Sequence, residues 1–199
     1  MAKKKAIKRI CVNCGSSPGS DPAFMGAARD LGQCLAERNM TVVYGGADVG
    51  LMGALANTAL TRGGQVIGVI PEAIADKVGH RNLSEQHVVT SMHERKQMMF
   101  DLSDAFVVLP GGYGTIEEMF EILTWAQLGM HAKPVGLLNV AGYFDSLLRF
   151  LDHSVAKRFV KQPHRDRILV HDSTVALLDR LTHDQAVVLD KWIDREEGL

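Results

Sequence analysis

The stretch AFVVLPGGYGTIEEMFE, residues 105–121, changes its period in the middle. Residues 105–109 form a continuous apolar run, as expected of a strand buried on both faces. Pro110, Gly111, Gly112 and Gly114 then make a turn. From Thr115 onward the apolar residues Ile116, Met119, Phe120 and Leu123 recur at helical spacing, which makes them the expected core stripe. On that reading Glu118, Glu121 and Trp125 lie on the opposite side. A buried strand, a glycine loop and a helix, in that order, are half of a parallel crossover.

The same alternation runs outward in both directions. Short apolar runs at 9–13, 41–44, 65–70, 87–90, 135–138 and 168–170 alternate with helical patterns at 22–38, 50–62, 91–102, 115–129, 143–157 and 173–183. This predicts an α/β fold in which a mainly parallel sheet carries helices on both faces. The chain of 199 residues shows no linker, repeat or low-complexity tract, so a single domain is expected. Its ends are a basic tail over 1–8, read as disordered, and a charged extension over 186–199.

Composition narrows the function. Apolar residues make up 46%, charged residues 23%, and the formal net charge is −1, which disfavours a nucleic-acid polymer as partner. No apolar run is long enough to span a membrane, and none behind the basic start is long enough for a signal peptide. A cytoplasmic location is expected. Three cysteines do not make a disulfide framework. Cys11 and Cys14 form a lone CxxC with no second ligand pair, and on a strand they point to opposite faces, so buried thiols are expected rather than a metal site.

In open α/β sheets ligands sit beyond the carboxyl ends of the strands. Three loops there are rich in glycine: CGSSPGSD (14–21), YGGADVGLMG (44–53) and PGGYGT (110–115). A fourth, TSMHERK (90–96), is basic. Gly111, Gly112, Gly114 and Thr115 open a helix, where free N–H groups and the helix dipole suit a phosphate. The loop is not a P-loop, since no GK[ST] follows, and the first strand carries no GxGxxG. Three glutamates right behind an anion site need another reason. A ribose 5-phosphate unit supplies one: its phosphate sits on the loop and its C1′ faces a carboxylate. Breaking a glycosidic bond builds positive charge at C1′, which an acid can stabilise while activating water. Arg95 and Lys96 lie at the same edge, where Arg95 can hold Glu118 ionised or contact the substrate.

These motifs resemble the Lonely guy family. The matching segments are PGGxGTxxE at Pro110 to Glu118, MHERK at Met92 to Lys96, CGSSPG at 14–19, YGGxxxGLMG at 44–53, GVIP at 68–71 and TWAQLGMHAKPVGLLNVAGYFD at 124–145. The resemblance implies a Rossmann-like three-layer fold, usually dimeric. It also implies hydrolysis of the N-glycosidic bond of AMP-type nucleotides, including cytokinin riboside 5′-monophosphates, to free base and ribose 5-phosphate, with no metal or organic cofactor. By motif position Arg95 and Glu118 match the catalytic pair. The expected substrate-binding set is Ser16, Gly46, Met92, Lys96, Gly111, Gly112, Tyr113, Gly114, Thr115, Ile116, Glu117, Glu121 and Thr124. Three positions depart from the common pattern: Ala47, Lys77 and Arg158 stand where relatives often carry glycine, glutamate and glycine. Lys77 bears on the choice of base.

The alternative is a carrier of the same fold for the phosphorylated pterin of molybdenum cofactor, which would keep the loop but would not need Arg95 with Glu118. A lysine decarboxylase would need pyridoxal phosphate on a lysine, and no Ser-x-His-Lys context is present. Ile122, Trp125 and Leu128 fall off the expected core stripe, and the run Met98, Met99, Phe100 points the same way, so a homodimer through these helices is expected, with the site near the seam.

Overall fold

The computed structural model describes residues 6–183. The strands are β1 (Arg9–Asn13), β2 (Thr41–Tyr44), β3 (Val66–Pro71), β4 (Glu85–Val89), β5 (Ala105–Val108), β6 (Val135–Leu138) and β7 (Ile168–His171). The helices are α1 (Pro22–Glu37), α2 (Gly50–Thr61), α3 (Glu72–Val78), α4 (Met92–Leu102), α5 (Tyr113–Gln127), α6 (Asp145–Ala156), α7 (Gln162–Arg165) and α8 (Thr174–His183). All seven strands run parallel in the order β4-β3-β2-β1-β5-β6-β7. The order reverses between β1 and β5, and this switch point opens a crevice at their carboxyl ends.

The side-chain period of two sorts each strand between two layers. Ile10 and Val12 join Val42, Tyr44 and Val107 under α1, α2 and α8. Cys11 joins Val43, Val69 and Phe106 under α4 and α5. Farther along that face Val108, Leu137 and Ile168 meet Met119 of α5 and Leu151 of α6. Strands β3, β5 and β6 are buried along their whole length because both faces are covered, which is why they read as continuous apolar runs. On the first face α1 and α2 approach closely at Gly32, where a Cβ would lie 2.5 Å from the Leu55 carbonyl oxygen.

Cys11 and Cys14 fall in different layers, as their spacing requires, and are free thiols. Burial pushes both thiols well above their ordinary range, so they stay protonated and unreactive. Among the described residues no cluster of three or more His, Cys, Asp or Glu could hold a metal, and no helix is long and apolar enough to cross a membrane.

Several elements differ from the sequence reading. β4 begins two residues before the expected run, as an edge strand paired only to β3. Helices α3 and α7 were not expected. Helix α5 starts at Tyr113, and its buried stripe is Thr115, Met119, Ile122 and Ala126. Ile116, Phe120 and Leu123 are half-buried at the flank toward β6 and α6. Ile122 therefore belongs to the core, covered by Met99 and Phe106 of its own chain. Glu118 does not face away from the core either: its side chain is only 13% exposed. The cause is α4, which packs beside α5 and buries a second flank of it. The expected C-terminal extension and residues 1–5 of the basic tail lie outside the described residues.

Candidate active site

Two loops meet at the switch point. The Gly15 N–H donates to the Pro110 carbonyl oxygen at 3.0 Å, which ties the loop after β1 to the loop after β5. There is no space for side chains at this junction. A Cβ on Gly111 would lie 2.1 Å from Thr115 Oγ1, and one on Gly50 would lie 2.4 Å from the Ser16 carbonyl carbon. Helices α1 and α4 are capped by their own Asp21 and Ser91. Helix α5 has no side-chain cap at Gly112, which leaves the first N–H groups, at Tyr113, Gly114 and Thr115, for a ligand.

The resulting cleft has a volume of about 220 Å³. Its lining brings together Ser16, Met92, Arg95, Gly112, Tyr113, Gly114, Thr115 and Glu118 from the expected set. It adds Gly15, Gly45 and Met52, which sequence reasoning did not single out. Gly45 has a legible reason only in three dimensions: a Cβ there would fall 2.0 Å from Arg95 Nη2. Gly111 supports the loop from behind. Gly46, with φ 76°, packs on Val69 and Ile70, and its carbonyl accepts from the His80 N–H. Ile116 sits in the α5–α6 core, and Thr124 is exposed with its hydroxyl donating to the Phe120 carbonyl. Gly111, Gly46, Ile116 and Thr124 do not line the cleft of this chain.

Arg95 is placed by the start of α4. The Ser91 hydroxyl accepts from the Glu94 N–H at 3.1 Å, and Glu94 reaches back to the N–H and hydroxyl of Thr90, both at 2.8 Å. This variant of the capping box, in which Glu94 reaches back to Thr90 rather than to the Ser91 N–H, fixes where the helix begins. One turn in, the Arg95 guanidinium turns inward, with its side chain 9% exposed. Nε donates to the Val69 carbonyl at 3.1 Å and Nη1 to Glu118 Oε1 at 2.6 Å. Burial pushes the Glu118 carboxyl above its ordinary range, against the pull of Arg95.

The other two glutamates have a separate partner. Lys96 Nζ donates to Glu117 Oε1 at 2.5 Å and to Glu121 Oε1 at 3.0 Å. Partial burial pulls the Lys96 ammonium down, but the two carboxylates outweigh it and hold it charged above the usual lysine range. Three acids behind the glycines are thus matched by two cations from α4. A smaller cavity lies behind Glu118, between α4 and α5, lined among others by Lys96, Phe100, Phe106, Glu121 and Trp125. Glu118 borders both spaces.

Chemically, the cleft offers an anion cradle at one end and a desolvated carboxylate at the other. Known proteins share this chain's sequence and fold. Residues 52–181 match the family model described as "Possible lysine decarboxylase". The chain is 48% identical over 181 residues to a probable cytokinin riboside 5′-monophosphate phosphoribohydrolase, LOG4, of Oryza sativa subsp. japonica, covering 90% of this chain and 79% of that protein. It is 42% identical over 205 residues to the cytokinin riboside 5′-monophosphate phosphoribohydrolase LOG1 of Arabidopsis thaliana, covering 100% and 96%. Among solved structures, the Moco carrier protein of Chlamydomonas reinhardtii superposes with a TM-score of 0.67 at 21% identity, covering 88% of this chain and 97% of that one. The molybdenum cofactor binding protein of Rippkaea orientalis gives 0.66 at 20%, covering 88% and 96%. Those two likenesses establish the Rossmann-like fold alone, whereas the sequence matches run through nearly the whole chain, and by them it belongs to the Lonely guy family of phosphoribohydrolases.

Proposed function

We propose that this chain hydrolyses the N-glycosidic bond of purine nucleoside 5′-monophosphates, cytokinin riboside 5′-monophosphates among them, to free base and ribose 5-phosphate. The observation that carries the reading is the Arg95–Glu118 pair, largely buried and 2.6 Å apart, in a cleft whose other end is an uncapped helix N-terminus. A carrier needs the second feature and not the first.

In this reading the N–H groups of Tyr113, Gly114 and Thr115 hold the 5′-phosphate. The ribose spans toward Glu118. The C1′–N9 bond breaks with its electron pair on the base, and the carboxylate of Glu118 stabilises the cationic C1′. Water bonds to C1′, giving one proton to Glu118, which passes it to the departing base. Arg95 holds Glu118 in place and lowers the cost of keeping it ionised. Lys96 gathers Glu117 and Glu121 so that their charges do not add to that of Glu118. The same pairing disfavours amine chemistry at Lys96, because a Schiff base needs a free amine and two carboxylates keep this one protonated.

The protein works as a homodimer in this account. Met92, Leu128 and Met130 are exposed around the α4–α5 face, beside half-buried Trp125. That face borders the Lys96 cavity, so a second copy would close the site. The location that fits a nucleotide substrate is the cytoplasm. Replacing Glu118 by Gln keeps the shape and an acceptor for Arg95 while removing the charge. Base release should fall by about 100-fold or more with AMP affinity retained. Undiminished turnover would remove Glu118 from the mechanism.

A further inference from the structure

We propose that Tyr143 is a positioning residue for the phosphate cradle, setting the peptide between Gly111 and Gly112 so that the Gly112 N–H faces the substrate's phosphate. The inference rests on the hydrolase reading for what the phosphate belongs to, and on geometry for the rest. The Tyr143 hydroxyl donates to the Gly111 carbonyl oxygen at 2.7 Å, across 32 residues of sequence. In a trans peptide the C=O and the following N–H point in opposite directions. Holding the Gly111 oxygen on Tyr143 therefore turns the Gly112 N–H away from it, and Gly112 lines the cleft. Without that tie the plane is free to rotate, because neither glycine carries a side chain to lock it. A carbonyl oxygen swung into the cradle would face the phosphate with like partial charge.

The chain reaches this contact through an unusual turn. After β6, Ala141 takes φ 50° and ψ 30° and Gly142 takes φ 70°, so a left-handed pair immediately precedes Tyr143. An L-residue such as alanine rarely adopts that conformation. Asn139 braces the turn, with its Nδ2 donating to Asp145 Oδ1 at 2.7 Å and its Oδ1 accepting from the Phe144 N–H at 2.8 Å. The Tyr143 ring is held edge-on between Phe24 of α1, at 5.4 Å, and Phe144, at 4.9 Å. Helix α1, the loop after β6 and the loop after β5 thus converge on one side chain, the rings packing on its body and the Gly111 carbonyl meeting its hydroxyl.

Tyr143→Phe in the full chain tests this, since phenylalanine keeps both ring contacts and removes only the donor. Ribose 5-phosphate and adenine binding are measured by calorimetry, together with kcat and KM for AMP. Losing one hydrogen bond should weaken ribose 5-phosphate and raise KM by about 3- to 10-fold. Adenine affinity should be unchanged and kcat should stay within about 2-fold. Unchanged ribose 5-phosphate affinity, or equal weakening of adenine and ribose 5-phosphate, overturns the proposal. Base release by the unaltered chain is scored separately. If it releases none but binds ribose 5-phosphate in a Tyr143-dependent way, the hydrolase reading falls and Tyr143 keeps its role. If it binds no ribose 5-phosphate, both fall.

Discussion

Glu118 sits in the chemically most demanding surroundings of the cleft, and its titration should be visible in activity. Burial raises its pKa above the ordinary 4.5, and Arg95 and then Lys96 oppose the rise. If the ionised form stabilises C1′, activity is present above the folded-state pKa and lost as pH falls through it. The acid limb of kcat/KM should therefore have its midpoint above 4.5, and Lys96→Met should move it higher still. A limb unmoved by Lys96→Met would show that this cation does not reach the carboxylate. A second residue carries a cost unrelated to chemistry. Arg158 stands at φ 63°, a conformation that suits glycine. Arg158→Gly should raise stability in urea by about 0.5–1 kcal/mol, the left-handed penalty less the added freedom of the unfolded chain. A loss of stability would mean that the arginine side chain contributes more than its backbone costs.

The α4 helix delivers both cations, so its starting point matters more than its length. The capping box of Ser91 and Glu94 sets that point. Ser91→Ala should cost about 1 kcal/mol in urea unfolding and lower kcat/KM by loosening Arg95. Full activity in a destabilised variant would show that the cap holds the helix without aiming the arginine. The inner strands were legible in the sequence because a sheet covered on both faces makes them continuous apolar runs, whereas the exposed edge strand β4 begins on Glu85 and Gln86 and its start was missed. Helix α3 was not, since it buries no residue and so has no stripe to read. The side on which Glu118 falls was also misread. Helical spacing orders residues around an axis, but which arcs are covered depends on neighbours, here α4. Ala141 gave no signal at all, because alanine does not announce a left-handed turn. The glycine loop, Thr115, Arg95 and Glu118 were legible because their residue types suit few other purposes at the end of a strand. Gly45 and Tyr143 were not, since their purpose is contact with residues tens of positions away.

The whole molecule gathers one site from loops after β1, β2, β4 and β5, with the loop after β6 bracing it from outside. On the proposed reading a second copy covers its exposed α4–α5 face. Leu128→Glu should convert a dimer into a monomer in sedimentation equilibrium and reduce turnover. A wild-type chain that sediments as a monomer while fully active would confine the site to one copy. The molecule's central chemistry is tested most directly by product analysis. The purified chain is incubated with AMP, N6-isopentenyl-AMP, adenosine and ADP, and free base is measured by chromatography. The account requires base and ribose 5-phosphate from the two monophosphates and none from adenosine or ADP. Release of no base from either monophosphate, while a nucleotide or pterin still binds, would contradict it.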